Sequence, residues 1–231
     1  MSRRLGWSLA FVLALACGVP AAGTAAPAAG AQVRYWSFSN GNDLRDGLLY
    51  WAPGPFHVQL EEWSFVHGED QFRPEVGVHL RDSRRSVYTL QWRHERDDER
   101  AWAGTEQVVG KRWVVRGEVS PLFFRDSTTV VWDAGADVYY GSYGFAGATV
   151  VHDPRAGGLW VVPVRARLAD ERNDWLQLTL APASQRSVGW AVDARHRWLR
   201  LGVERNSRFD FTTLDNTIFT AGIEVPLPER K

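Results

Sequence analysis

Residues 72–81 alternate without interruption between apolar and polar side chains. Phe72, Pro74, Val76, Val78 and Leu80 fall on one face, and Arg73, Glu75, Gly77, His79 and Arg81 on the other. A side-chain period of two is that of a β-strand with two unlike faces. The pattern recurs down the chain. Tyr88, Leu90 and Trp92 oppose Thr89, Gln91, Arg93 and Glu95. Trp113, Val115, Gly117, Val119, Pro121 and Phe123 oppose Val114, Arg116, Glu118 and Ser120. Val130, Trp132, Ala134, Ala136 and Val138 oppose Asp133, Gly135, Asp137 and Tyr139, and Trp160, Val162, Val164 and Ala166 oppose Pro163, Arg165 and Arg167. Segments 143–152, 174–181, 186–194, 196–205 and 216–227 continue the series, and 101–109 has the weakest pattern. In 56–66 the apolar phase slips between Leu60 and Trp63, which predicts a β-bulge at Glu61-Glu62. Polar turn clusters such as His67-Gly68-Glu69-Asp70 and Asp153-Pro154-Arg155-Ala156-Gly157-Gly158 separate the runs.

Counted from residue 56, about 12 strands are expected. Residues 33–38 are left over as plug, arm or extra strand, and 40–55 read as loop with one short strand. No segment shows a sustained 3.6-residue period with caps, so the fold is expected to be all-β.

The start of the chain looks like an export signal. Arg3 and Arg4 form a basic n-region. Residues 9–19 form an apolar stretch too short to span a membrane, and small residues follow. Both Ala21-Ala22-Gly23 and Ala29-Gly30-Ala31 fit a cleavage triplet. The expected layout is a signal over about 1–31, an arm or plug over 32–55, a barrel over 56–227 and a tail over 228–231. Cys17 is the single cysteine and lies inside the signal. It reads either as a lipidation site or as a small apolar residue, with Ala14 where lipoprotein signals usually carry Leu. Disulfides and thiolate metal sites are therefore not expected in the exported chain.

Alternation alone does not say which face is wet. A soluble sandwich or barrel buries its apolar face, whereas a membrane barrel turns it to lipid and keeps a polar lumen. Three features favour the membrane form. Aromatic residues lie near the ends of the runs (Trp63, Trp92, Trp102, Trp113, Tyr140, Trp160, Trp175, Trp198), as in interfacial girdles. The polar faces mix charges along each strand: Arg73 with Glu75, Arg93 with Glu95, Arg116 with Glu118, Arg200 with Glu204. The last strand carries Thr220, Gly222, Val225 and Leu227, similar to the C-terminal targeting pattern of bacterial outer-membrane barrels, although the chain ends in Pro228-Glu229-Arg230-Lys231.

Residues 131–145 read Val-Trp-Asp-Ala-Gly-Ala-Asp-Val-Tyr-Tyr-Gly-Ser-Tyr-Gly-Phe. With the Arg-bearing strand 159–168 and Asp174-Trp175-Leu176 after it, this resembles the YaiO-type outer-membrane β-barrel family. Ser142 stands where Asn is common in the family, and Ala181-Pro182-Ala183-Ser184 replaces its Gly-rich strand end. The resemblance implies a fold and a location, and no activity that can be carried over by residue.

The chain has 27 basic and 27 acidic residues, so bulk charge gives no case for nucleic acid. The histidines show no zinc-binding spacing, and no Gly-x-Ser-x-Gly elbow is present. No cofactor or metal is implied. His79 is the best-placed single base candidate, read first as a lumen histidine. Asp133 and Asp137 share a face and are read first as partners of Arg116 or Arg165.

The expectation is a closed, antiparallel, up-and-down membrane β-barrel with an apolar belt, in the outer membrane of a Gram-negative bacterium. It would be a non-enzymatic structural barrel, or a narrow channel or export accessory for a glycan or small polar solute. Its lumen would be lined by Arg73, Glu75, His79, Arg81, Arg93, Glu95, Arg116, Glu118, Asp133, Asp137, Arg165, Arg167, Arg200 and Glu204. Tyr139, Tyr140 and Tyr143 would form a rim cluster. Lipid, lipopolysaccharide and the outer-membrane assembly machinery are the expected partners. A soluble ligand-binding barrel and a membrane-embedded lipid-modifying hydrolase are the alternatives.

Overall fold

The alternating runs become strands because each offers one face to an apolar and one to a polar surrounding, and β-branched and aromatic residues fill the pleat. The computed structural model describes residues 28–83, 85–96, 98–156, 158–171, 174–184, 187–206 and 215–226. In chain order the strands are β1 (Ala28–Phe38), β2 (Leu44–Ala52), β3 (Phe56–Phe65), β4 (Gln71–Ser83) and β5 (Ser86–Glu95). They continue with β6 (Asp98–Val109), β7 (Trp113–Phe123), β8 (Thr128–Tyr140), β9 (Gly144–Asp153) and β10 (Leu159–Val161). The last are β11 (Val164–Glu171), β12 (Asp174–Ala181), β13 (Gly189–His196), β14 (Leu199–Arg205) and β15 (Asn216–Pro226).

Every strand pairs antiparallel with its neighbours in sequence, apart from a local exception at β10. The sheet closes where β1 meets β15, from Ala28 opposite Pro226 to Phe38 opposite Asn216. The result is a closed barrel of 14 strands plus the short β10. β10 and β11 lie along the same edge of β9, against Val151–Asp153 and Phe145–Ala148 respectively. Pro163 separates them because it has no N–H to give, yet its carbonyl still accepts from the Thr149 amide at 3.0 Å.

From residue 56 onward, counting β10 with β11, the staves number 12, as the periodicity indicates. The two further staves are β1 and β2, in the segment expected to be an arm or plug. Ala29-Gly30-Ala31 lies within β1, so a cut after residue 31 would remove the start of a stave. Residues 1–27, including Cys17 and Ala21-Ala22-Gly23, lie outside the described residues, as does the tail.

Exposed apolar side chains cover the outside of the barrel: Val33 is 62 % exposed, Phe72 58 % and Leu180 60 %. Their strand neighbours point inward and are covered, as with Arg73 at 2 %. This polarity reverses near one end. There Trp36, Phe38, Leu44, Trp63 and Ile218 turn inward as a buried cluster, with Leu122, Val131 and Val151, and Leu159, Val161 and Ala181, as two smaller ones.

The reversal corrects the expected bulge at Glu61-Glu62. The β3 register runs unbroken against both β2 and β4. What changes is the surrounding: Glu62 faces out above the apolar belt, while Trp63 faces into the barrel. Segment 101–109, the weakest pattern, lies in β6, which puts Ala101, Ala103, Thr105 and Gln107 on one face and Arg100, Trp102, Gly104 and Glu106 on the other, so neither face reads as apolar.

The two ends also differ in their connections. Short turns join the strands at one end (53–55, 110–112, 141–143, 197–198), where β1 begins and β15 stops. Longer ones lie at the other (39–43, 66–70, 124–127, 182–188, 206–215), together with the two-residue β5–β6 turn. Gly141 takes φ 83° in its turn, a conformation that favours glycine. Gly147 faces Asp137 across the β8–β9 pair. A Cβ there would meet the Asp137 carboxylate and lie 2.8 Å from its Cα, so the close approach of these strands needs glycine. Gly147→Val is expected to abolish the folded, heat-modifiable species on a gel, and normal migration of that variant would refute this account of the β8–β9 contact.

Candidate functional site

The inward side chains form two charged walls. On β1–β5 three inward carboxylates, Glu61, Glu75 and Glu95, are each shared between cations. Arg34 pairs with Asp46 at 2.5 Å and donates to Glu61. Glu61 also accepts from Arg73 Nη1 at 3.1 Å, and Arg73 reaches Glu95 with its other nitrogen. Arg93 donates to one oxygen of Glu75 through Nη2 at 2.6 Å and Nε at 2.8 Å, and its Nη1 lies 3.5 Å from Glu95. The other Glu75 oxygen lies 3.1 Å from His57 Nε2. Such groups are costly to desolvate singly, and sharing each acid between donors offsets that cost.

On the far wall Asp137 pairs with Arg116 and, at 3.3 Å, with Arg165, which also donates to Thr149 at 3.2 Å. Asp193 accepts from Arg200 Nε at 3.0 and 3.1 Å, Glu224 from Arg195, and Gln177 from Arg167 at 2.8 Å.

Aromatic rings hold several guanidinium groups in place. Arg73 lies 3.6 Å over Trp63, Arg93 and Arg100 lie 4.8 and 4.5 Å from the Trp102 centroid, and Arg167 lies 4.4 Å from Trp175. The attraction is that of a cation for the ring face, strengthened by exclusion of water. It corrects the girdle expected from sequence. Trp63, Trp102 and Trp175 turn inward onto arginines, whereas Trp113, Trp160 and Trp198 are exposed on the outside.

The charge pattern within single strands did not predict the main partners. Arg73 and Arg116 pair across strands rather than with Glu75 and Glu118, and Arg200 pairs with Asp193 rather than Glu204. Same-face neighbours on one strand stand farther apart than residues directly opposite on the next. Arg93 and Glu95 do approach along one strand, at 3.5 Å. Glu118 and Asp133 are directly opposite each other on β7 and β8. They face an inner cavity of about 360 Å³ with Arg116, Arg165 and Thr149. His79 stacks on His57 with centroids 4.9 Å apart, its Nδ1 3.0 Å from Thr89 Oγ1. Arg81 is exposed at the short-turn end of β4, and Glu204 lies on β14 opposite Ile218. Tyr139 packs on Phe145 at 5.5 Å, while Tyr140 and Tyr143 are exposed at the turn.

Sequence reasoning missed Arg34, Asp46, Glu61, Arg100, Asp193, Arg195 and Glu224. Arg34 and Asp46 lie in the supposed arm, and Glu61 at the phase slip. Arg100 stands just ahead of 101–109, the segment with the weakest pattern, and lies within β6. The Gln32–Tyr35 alternation was the available signal for the first of these.

A central cavity of about 600 Å³ is bounded by these arginines and carboxylates and by Tyr50, Gln32, Gln59 and Gln91. Its surface is rich in amide and guanidinium donors. At the long-loop end the buried Trp36 cluster lies inside the wall, and the loops beside it are tied together. Asp43 Oδ1 accepts from the Phe38 amide at 3.0 Å, the Asp43 carbonyl from Val66 at 2.8 Å, and the Asp215 carbonyl from Ser39 at 3.0 Å. The Tyr35 hydroxyl donates to Asp43 and, with the Phe38 amide, holds its carboxyl below the usual range.

No family model and no curated protein sequence matches the chain. Solved structures do resemble it. The KdgM porin aligns with a TM-score of 0.53 at 8% identity, over 84% of this chain and 98% of that one. The KdgM porin in complex with disordered oligogalacturonate gives 0.51 at 8% identity, over 87% and 99%. The Acinetobacter baumannii outer membrane protein Omp33 gives 0.55 at 8% identity, over 88% and 99%. These likenesses are of fold.

Glu61 is central to the first wall, so Glu61→Gln leaves Arg34 and Arg73 undercompensated. It should destabilise the barrel by about 3 kcal/mol, measured by urea unfolding in detergent with tryptophan fluorescence. A change of less than about 0.5 kcal/mol would mean that the pairing carries no net stability.

Proposed function

We propose that the protein is an outer-membrane β-barrel of a Gram-negative envelope that acts, without catalysis, as a narrow channel for small polar solutes or saccharides. One observation carries this reading: a closed barrel whose outside is a continuous apolar surface and whose inside is charged and amide-lined. Strands can cross a bilayer only when closed on themselves, and a polar lumen inside an apolar belt is the arrangement of porin-like barrels. A soluble ligand-binding barrel would place the larger apolar surface inside.

In this reading the short turns and both ends of the barrel chain face the periplasm and the longer connections face outward. The export signal is removed ahead of Ala28, and the last strand is recognised by the assembly machinery. The tyrosine turn supports membership of the YaiO-type barrels as the finer assignment. KdgM, bound to oligogalacturonate in one solved complex, lends support to a saccharide as permeant. The glutamines and ring-backed arginines of the central cavity supply the hydrogen bonds such a solute needs.

Reconstituted into a planar bilayer, the protein should give small unitary conductance steps. Breaking the inner wall with Glu75→Gln and Arg93→Gln together should raise the unit conductance. Recovery of the exported protein from the soluble periplasm without detergent would refute the membrane reading, and a silent bilayer with heat-modifiable protein would refute the channel.

A further inference from the structure

The outer wall of the barrel has one dent whose chemistry differs from the belt around it. It lies where β15, β1, β2 and β3 run side by side, close to the long-loop end, and encloses about 600 Å³. Its floor is Gly47. A side chain built there meets nothing within 4 Å, so the gap is open space on the outside of the wall and no packing requirement calls for glycine. Val33, Tyr35 and Phe219 form its apolar sides and are 62 %, 41 % and 52 % exposed.

At the dent's upper edge stand an exposed cation and an exposed anion, Arg45 and Glu62. Glu62 is directly opposite Gly47, and Arg45 is opposite Ser64, the next outward position on β3. Neither makes an ion pair among the described residues. Unpaired charges beside an apolar belt are costly unless they meet headgroups. A molecule that fits has apolar chains for the dent, a phosphate for Arg45 and a hydroxyl or amide N–H for Glu62.

We infer that this dent is a specific site for a phosphorylated, acylated aminosugar lipid of the lipid A type, with an acyl chain over Gly47 and a phosphate on Arg45. The inference rests on the membrane reading above, which puts the long-loop end in the outer leaflet. A guanidinium gives a phosphate a two-pronged, charge-assisted contact that an ordinary belt residue cannot. The neighbouring carboxylate selects a phosphate flanked by donors over a bare anionic headgroup. A second copy of the chain, related by a two-fold axis, would answer Arg45 with its Glu62 and is the competing occupant, which the oligomeric state separates from a lipid.

The test is native mass spectrometry of the folded barrel in detergent with purified bisphosphorylated lipid A, its dephosphorylated form, or phosphatidic acid, whose headgroup is a bare phosphate. The wild type should retain bisphosphorylated lipid A at least about tenfold better than the other two. Gly47→Leu fills the dent without touching the lumen and should abolish that retention. Arg45→Gln should remove the preference for the phosphorylated form, and Glu62→Gln the preference over phosphatidic acid. Heat-modifiable migration of each variant shows that the barrel has folded, so loss of the site is distinguishable from loss of the membrane fold. Equal retention of all three lipids by the wild type, or unchanged retention by Gly47→Leu, overturns the inference. So does a dimer mass in light scattering that Gly47→Leu reduces to a monomer.

Discussion

In the bilayer setting proposed for this barrel, every backbone N–H and C=O in the wall must find a partner inside the wall, because hydrocarbon supplies none. Closure follows from that requirement, and so does much else. An open sheet would leave two edges unpaired. The pairing of β1 with β15 along the whole length of both strands leaves none. It also makes the prolines of the wall tolerable only one at a time. Pro163 interrupts a stave, yet its carbonyl accepts from Thr149 on β9 and the preceding Val162 amide donates to the Pro182 carbonyl just past β12.

The barrel was legible in the sequence where each strand keeps one surrounding per face. β4 and β7 are such strands, and their inward and outward sets could be listed from periodicity. β1, β2 and the upper part of β3 were not, because their surroundings change partway. Trp36, Phe38 and Trp63 are apolar yet inward, and Arg45 and Glu62 are charged yet outward. A period-two pattern that swaps phase looks the same whether the backbone bulges or the solvent changes, and only the unbroken register of β3 decides between them. The individual ion pairs were illegible for a different reason. They form between strands, and strand offset is not written in any single run of residues.

The interior is charged but close to self-neutral. Most inward arginines meet a carboxylate, and several also rest on a ring, so their heads are held from two sides. A wall built this way presents fixed dipoles and donors rather than a strong net field. It suits uncharged or zwitterionic solutes that exchange hydrogen bonds with it, and it lacks the mutual repulsion that a narrow tube of like charges would relieve only by widening.

Because β1 and β15 are neighbours, the first and last staves of the sequence hold each other. The contact that completes the wall therefore joins residues separated by almost the entire chain. Loop-closure entropy for that final contact is met only after the other staves have aligned. Assembly is consequently all-or-none with respect to length: a chain broken off before β15 has two open edges and remains a substrate for proteases. For the same reason the two ends lie side by side, so a circularly permuted chain, with a short linker from Pro226 to Ala28 and new ends in another turn, would trace the same barrel.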